Sequence, residues 1–267
     1  MAPQFVDFNG DGITDIFTAT FDGSPWVSFG SKEGFKAPEQ VKNSEGARII
    51  LSQYWDYEAR KWTSKNMTDA AQGGAHCISA FAWDWDADGD LDIILGDRNG
   101  GLWLNLNAGS TKEPKYGTVS KRIMSGDKPL ELGGKVTSPR LLDWDKDGLD
   151  DLLFGTFGDS YGNAEGGGVF WSRNTGKKGE PKFDAPKALI APAKKDAEGA
   201  VRADAGLYFD VIDYDGDGDL DIVVGGYSMW PNTEPAKDGA RKAPFNRKPY
   251  VWVYLQKSEP KPDTSVR

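Results

Sequence analysis

The chain has 267 residues, with 41 Asp and Glu against 32 Lys and Arg, one His and a formal charge of −9. Hydrophobic residues make up only 38%, but 33 Gly and a set of 10 Trp, 9 Tyr and 13 Phe exclude a disordered acidic chain, which would be poor in aromatics. The acidic balance excludes a basic nucleic-acid-binding face, no apolar run reaches the about 18 residues that cross a membrane, and a lone Cys77 excludes a disulfide framework or a Cys-based zinc site.

In chain order, the first predicted strand is QFVD, and an acidic loop DFNGDGITD follows at 7–15. Two more predicted strands, DIFTAT and SPWVSFG, come next, then a fourth candidate and a long insertion over 43–75 that contains SQYWDYEARKW. The opening MAPQFVDFNG has neither a basic n-region nor an apolar h-region, so no signal peptide is expected within it. A second unit repeats the order: ISAFAWD, the loop DWDADGDLD at 84–92, DIILG, GGLWLNLN and KYGTVSKRI. A third reads PRLLD, DWDKDGLDD at 143–151, DLLFG, GGVFWSRN and KFDAPKALI. The fourth reads LYFDVID, DYDGDGDLD at 213–221, DIVVG, a second insertion over 227–248, and YVWVYLQ, with no fourth-strand candidate. The apolar runs are short, alternating, rich in β-branched and aromatic residues, and bounded by Gly and Asp, which predicts strands.

Each unit is therefore strand, acidic loop, strand, turn, strand and, in three units, a fourth strand. Repeats of this length predict radially arranged antiparallel blades: an all-β chain, a β-propeller in one domain, with repeats of approximately 1–76, 77–135, 136–204 and 205–267. Four repeats fit a four-bladed ring, part of a larger propeller, or half of a ring that two chains complete. Trp26, Trp103, Trp171 and Trp252 recur in the third strands and are expected between blades.

The loops share one register. Positions 1, 3, 5 and 9 are Asp or Asn, position 6 is Gly and position 2 is aromatic (Phe8, Trp85, Trp144, Tyr214). Alternate oxygen donors in a tight loop suit a hard cation, and Ca²⁺ takes six to eight oxygens from carboxylates, carbonyls and water. The expected side-chain ligands are Asp7, Asn9, Asp11 and Asp15; Asp84, Asp86, Asp88 and Asp92; Asp143, Asp145, Asp147 and Asp151; and Asp213, Asp215, Asp217 and Asp221. The position 7 carbonyls of Ile13, Asp90, Leu149 and Asp219 are expected to add one ligand each. Mg²⁺ demands stricter octahedral geometry, and a transition metal would favour His or Cys, which the loops lack. An EF-hand would need Glu at position 12, where Thr18, Leu95, Phe154 and Val224 stand.

These loops resemble those of FG-GAP/VCBS repeats, such as the calcium-binding blades of integrin alpha-subunit propellers. SFGSKEGF (28–35), LWLNLNAG and VFWSRNTG resemble further parts of the repeat, and the likeness extends over all four units. The resemblance implies a β-propeller, a loop that joins the first two strands of each blade, and about four Ca²⁺ sites. Members typically have about seven blades, so the four repeats here depart from that pattern.

The insertions are candidate ligand loops, since long connections in compact domains are often functional. Tyr54, Trp55, Tyr57 and Trp62 in the first, and Tyr227 and Trp230 in the second, are the candidate ligand-binding residues; stacking on sugar rings and plain burial are both open. His76 is the sole His and has no nucleophile motif around it, which favours a structural role. The expected function is a calcium-stabilised, secreted, cell-surface or periplasmic binding module for a glycan or protein, with no nucleic acid, no membrane span and homo-oligomerisation open. Two alternatives stand beside it: a polysaccharide lyase or glycoside-active enzyme on the same propeller, and an assembly module that pairs through an open blade edge. The loops hold 18 of the 41 acidic residues, so four divalent cations would bring −9 to −1.

Overall fold

The computed structural model describes residues 3–63, 76–131, 136–157, 167–192, 205–231 and 245–256. β1 (Gln4–Val6), β2 (Asp15–Ala19), β3 (Pro25–Ser28) and β4 (Glu39–Gln40) form the first blade. A hairpin of β5 (Tyr54–Asp56) and β6 (Lys61–Thr63) lies within the first insertion. The second blade is β7 (Cys77–Trp83), β8 (Asp92–Asp97), β9 (Leu102–Asn105) and β10 (Lys121–Arg122), followed by a small hairpin of β11 (Met124–Ser125) and β12 (Lys128–Pro129). The third is β13 (Val136–Leu142), β14 (Asp151–Thr156), β15 (Val169–Ser172) and β16 (Lys187–Ile190). The fourth has three strands, β17 (Ala205–Ile212), β18 (Asp221–Pro231) and β19 (Phe245–Tyr254). All pairings within the blades are antiparallel, and the four sheets are arranged as a four-bladed β-propeller.

The register is the same in every blade. Position 9 of each acidic loop opens the second strand and pairs with the last residue of the first: Val6 with Asp15, Trp83 with Asp92, Leu142 with Asp151 and Ile212 with Asp221. Each acidic loop is thus the connection of one hairpin, always at the same end of its blade.

Strand period decides which side chain meets which neighbour, because successive residues point to opposite faces. Phe17 and Ala19 of blade 1 pack with Ala80, Ala82 and Ile93 of blade 2. Phe81 and Ile94 of blade 2 pack with Leu141, Leu152 and Phe154 of blade 3. Leu153 and Val169 of blade 3 pack with Leu207, Phe209 and Ile222 of blade 4. β8 and β14, flanked on both faces, are buried at every residue, whereas β2 alternates between buried and half-buried.

Three expectations change in detail. The fourth strands shrink to short edges: KYGTVSKRI forms a strand only at Lys121–Arg122, with Tyr116 bridging Asn107, and KFDAPKALI only at Lys187–Ile190, with Phe183 bridging Asn174. The second insertion is in part a continuation of the sheet, since Tyr227–Pro231 pairs with Phe245–Pro249. Pro249 is tolerated there because β19 is the outermost strand of its blade and needs no amide toward solvent. Finally, Trp171 is one residue out of step: it pairs with Leu153, while Phe170 pairs with Phe154 at the place where Trp26, Trp103 and Trp252 sit in the other blades. One residue reverses the face, so Trp171 joins the blade 3–4 cluster and Phe170 the blade 2–3 cluster.

Blades 2 and 3 come close at Gly96, where a Cβ would stand 2.2 Å from Ser79 Oγ of its own blade and 2.8 Å from Val136 Cβ of blade 3. Gly96→Ala is expected to cost about 1–3 kcal/mol by overpacking, seen as a lower midpoint in urea unfolding.

Candidate functional site

Each acidic loop is folded by hydrogen bonds to its own carboxylates. The position 1 carboxylate accepts the amide of the position 6 glycine in all four: Gly12 to Asp7 (2.8 Å), Gly89 to Asp84 (3.2 Å), Gly148 to Asp143 (2.9 Å) and Gly218 to Asp213 (3.1 Å). Those glycines have φ of 84°, 94°, 89° and 89°, a conformation that L side chains adopt at a cost. Position 4 is left-handed as well, with Gly10 at 69° and Gly216 at 77°, but also with Ala87 at 63° and Lys146 at 61°.

Position 9 is the anchor. Asp15, Asp92, Asp151 and Asp221 are all buried. Asp15 accepts the amides of Phe8 (2.9 Å) and Gly30 (2.7 Å), Asp92 those of Trp85 (2.9 Å) and Asn107 (2.7 Å), and Asp221 those of Tyr214 (2.9 Å) and Gln256 (2.8 Å). In the third loop Asn174 donates to Asp151 at 2.6 Å. One carboxylate therefore ties the loop to the end of the third strand. In the first two loops the bond also turns the position 2 aromatic: Phe8 stacks on Phe17 and Trp85 meets Phe183.

The carboxylates converge. Oxygens of Asp84, Asp86 and Asp92 lie within 4.8 Å of one another, as do those of Asp143, Asp145 and Asp147, and of Asp213, Asp215 and Asp221. The first loop has Asn9 at position 3, whose Oδ1 and Nδ2 both meet Asp11. Like charges this close cost about 1 kcal/mol per pair at 4 Å in water and more near a protein surface. The Asp92 carboxyl is pushed up to about 6, chiefly by burial, with the amides of Asn107 and Trp85 opposing and the charges of Asp86 and Asp90 adding to the rise. Burial also raises Asp90 and Asp151.

Two basic side chains reach this rim, and nothing in the loop motif signals them. Arg173, just after β15, pairs with Asp145 (2.6 Å) and Asp147 (2.8 Å). Lys146 of the third loop reaches Asp219 (2.5 Å) and the Gly218 carbonyl (2.8 Å) of the fourth. Between the second and third loops lies a cleft of about 350 Å³, lined by Trp83, Trp85, Leu141 and Leu91 with Lys177 and Lys178 at its side. Turns of the succeeding blades close over the loops: Thr111 Cγ2 is 2.7 Å from the place a Cβ on Gly10 would take, and the Asp86 carbonyl 2.5 Å from that of Gly179.

The candidate ligand aromatics fall in two places. Tyr54 is buried beneath the Arg48 guanidinium (4.4 Å), which itself pairs with buried Asp22 at 2.8 Å. Trp55 and Trp62 meet edge to face at 5.5 Å, and Tyr57 is exposed. Tyr227 belongs to blade 4 and lies 6.4 Å from Phe157; the Trp230 side chain is outside the described residues. His76 is buried, with Nδ1 3.2 Å from the Gln53 carbonyl and Nε2 3.1 Å from that of Phe21, and its ring meets Trp62 at 4.6 Å. Burial pulls its pKa below the usual value.

Residues 84–154 match the family model described as FG-GAP-like repeat, a span that runs from the second acidic loop through the third and into β14. No curated protein matches the chain. With four blades of one register around that match, the chain fits an FG-GAP-repeat β-propeller.

Ala87 holds a left-handed conformation without being glycine, so Ala87→Gly is expected to stabilise by about 0.5–1 kcal/mol, the relief of φ strain exceeding the added chain entropy. Gly12→Ala, where a Cβ would meet nothing within 4 Å, is expected to destabilise by about 1 kcal/mol through φ alone. Paired thermal melts of the two variants read both signs.

Proposed function

We propose that this chain is a calcium-stabilised, extracytoplasmic and non-catalytic binding module for a glycan or a protein segment. The observation that carries the calcium reading is the convergence of three carboxylates in three separate loops of one register. Asp84 Oδ1 and Asp145 Oδ1 are buried and have no hydrogen-bond partner, which suits a cation as their acceptor. The donor set is all oxygen, which fits Ca²⁺. The holding residues would be the side chains at positions 1, 3, 5 and 9 (Asp7, Asn9, Asp11 and Asp15 in the first loop), with the carbonyl at position 7. A bound cation would neutralise the loop and fix the first two strands of the blade together.

The third loop is the weakest of the four by this reasoning, because Arg173 already occupies Asp145 and Asp147. Placement outside the cytoplasm agrees with the family, whose members are typically extracellular, and with the about 10⁻⁴–10⁻³ M range in which extracellular calcium modules work. Among the described residues, no helix is long and apolar enough to cross a membrane. The ligand surface is the cleft between the second and third loops. Its Trp83 and Trp85 walls offer apolar contact, and Lys177 and Lys178 offer charge. His76, with carbonyls facing both ring nitrogens, is built into the blade 1 connection, which fits a structural role.

Chelation tests the calcium reading. Binding to the native state alone stabilises by about 2.7 kcal/mol per site at a free concentration one hundredfold above Kd, so EDTA should lower the Tm by many degrees. An unchanged Tm would contradict it. The effect depends on pH with a definite sign. Asp92 titrates near 3.9 when unfolded and at about 6 when folded, so the folded state holds its proton more tightly. Without cation, this residue's contribution is lost as pH rises from about 4 to about 6. Calcium needs the ionised form, so the calcium increment in Tm should be full above about pH 6 and shrink below it.

Binding of glycans to an array, with the Lys177→Ala/Lys178→Ala double variant losing about tenfold or more in affinity, tests the ligand surface. New reducing or unsaturated ends on a bound glycan would replace the binding module with an enzyme.

A further inference from the structure

The three apolar clusters join blades 1 to 2, 2 to 3 and 3 to 4, and among the described residues no cluster joins blade 4 to blade 1. The two end faces can be compared, place by place, with faces that are covered. Ala82 pairs with Ile93 and Leu141 with Leu152; both are buried against the preceding blade. The residue at the same place in blade 1, Phe5 opposite Ile16, is 65% exposed. On the opposite faces, Leu102 pairs with Gly96 and Val169 with Gly155, and both are 0% exposed. Val251, opposite Gly225 in blade 4, is 76% exposed. The position 2 aromatics repeat the contrast: Phe8 and Trp144 are buried, and Tyr214 is 60% exposed.

Blade 1 and blade 4 therefore carry the residues of an inter-blade interface at the places where the inner blades bury theirs. Charge agrees. In blades 2 and 3 the turn after the third strand lies over the preceding blade's acidic loop, as Thr111 does over Gly10 and Gly179 over Asp86. In blade 1 that turn carries Lys32 and Lys36, while the fourth loop, with five Asp, has no succeeding turn within the described residues.

We propose that a second copy of this chain covers both faces: blade 4 of each copy packs on blade 1 of the other, and two chains close one ring of eight blades. The contact is heterologous, since a face of one kind meets a face of the other. Each chain has one of each, so a twofold pair uses all four faces and leaves none open. The interface continues the three that already exist within the chain, and it places Lys32 beside the fourth acidic loop of the partner. This inference does not depend on the calcium reading.

Light scattering of the intact chain tests it. The expected mass is twice 29.2 kDa. Val251→Asp and Phe5→Asp, each on an exposed side chain, should each give 29.2 kDa with unchanged circular dichroism and a cooperative melt. A mixture of the two variants should recover pairs, because Val251→Asp keeps its blade 1 face and Phe5→Asp its blade 4 face. A wild-type monomer, as expected if further blades of a longer polypeptide cover these faces, would overturn the proposal. So would a dimer that survives both substitutions, or a mass that grows beyond two copies with concentration.

Discussion

A buried carboxylate at the start of each second strand holds the blade together. Asp15, Asp92 and Asp221 each accept one amide from position 2 of the acidic loop and one from the second residue after the third strand. Three strands are tied at one point. A carboxylate out of water is costly unless hydrogen-bonded, and bonds to an ionised acceptor are about twice as strong as neutral ones. The same two bonds aim the position 2 aromatic at the next blade, so loop chemistry and core packing depend on one side chain. Asp92 rises to about 6 in that arrangement because burial, with the neighbouring carboxylates, opposes the charge that the amides favour.

The parts of the fold legible in the sequence are those with a short period. Alternation of DIILG or DLLFG exposes two-sided burial, and Asp and Gly at fixed places in the loops mark a tight turn around oxygen donors. Features set by distant contacts were not legible. Ala87 and Lys146 sit left-handed at position 4 without being glycine, so nothing in their type announces it. Asp22 and Asp97 are buried carboxylates outside the acidic loops that receive Trp26 Nε1 (3.0 Å) and Trp103 Nε1 (2.9 Å); spacing alone does not distinguish them from turn aspartates. Trp171 looked like a member of the tryptophan series, yet a shift of one residue gives its place to Phe170. Arg173 entered the third loop from a different strand, an ion pair visible only once β14 and β15 are side by side.

Repetition also explains the exposed faces of blades 1 and 4. An inner blade is covered on both sides by its neighbours, and its residues are chosen for that. Blades 1 and 4 keep the same apolar types at the same places, which is why Phe5 and Val251 stand in water in a single copy. The acidity of the chain follows a similar logic. Most of its excess negative charge lies in four loops that would each hold a divalent cation, and with four bound the formal charge falls from −9 to −1.

Native mass spectrometry of the protein purified in calcium counts the cations directly. The account predicts up to four bound calcium ions per chain, the third loop emptying first as free calcium is lowered, and one fewer when Asp84 and Asp92 are both replaced by Ala. A chain that carries no calcium at millimolar free concentration would contradict it.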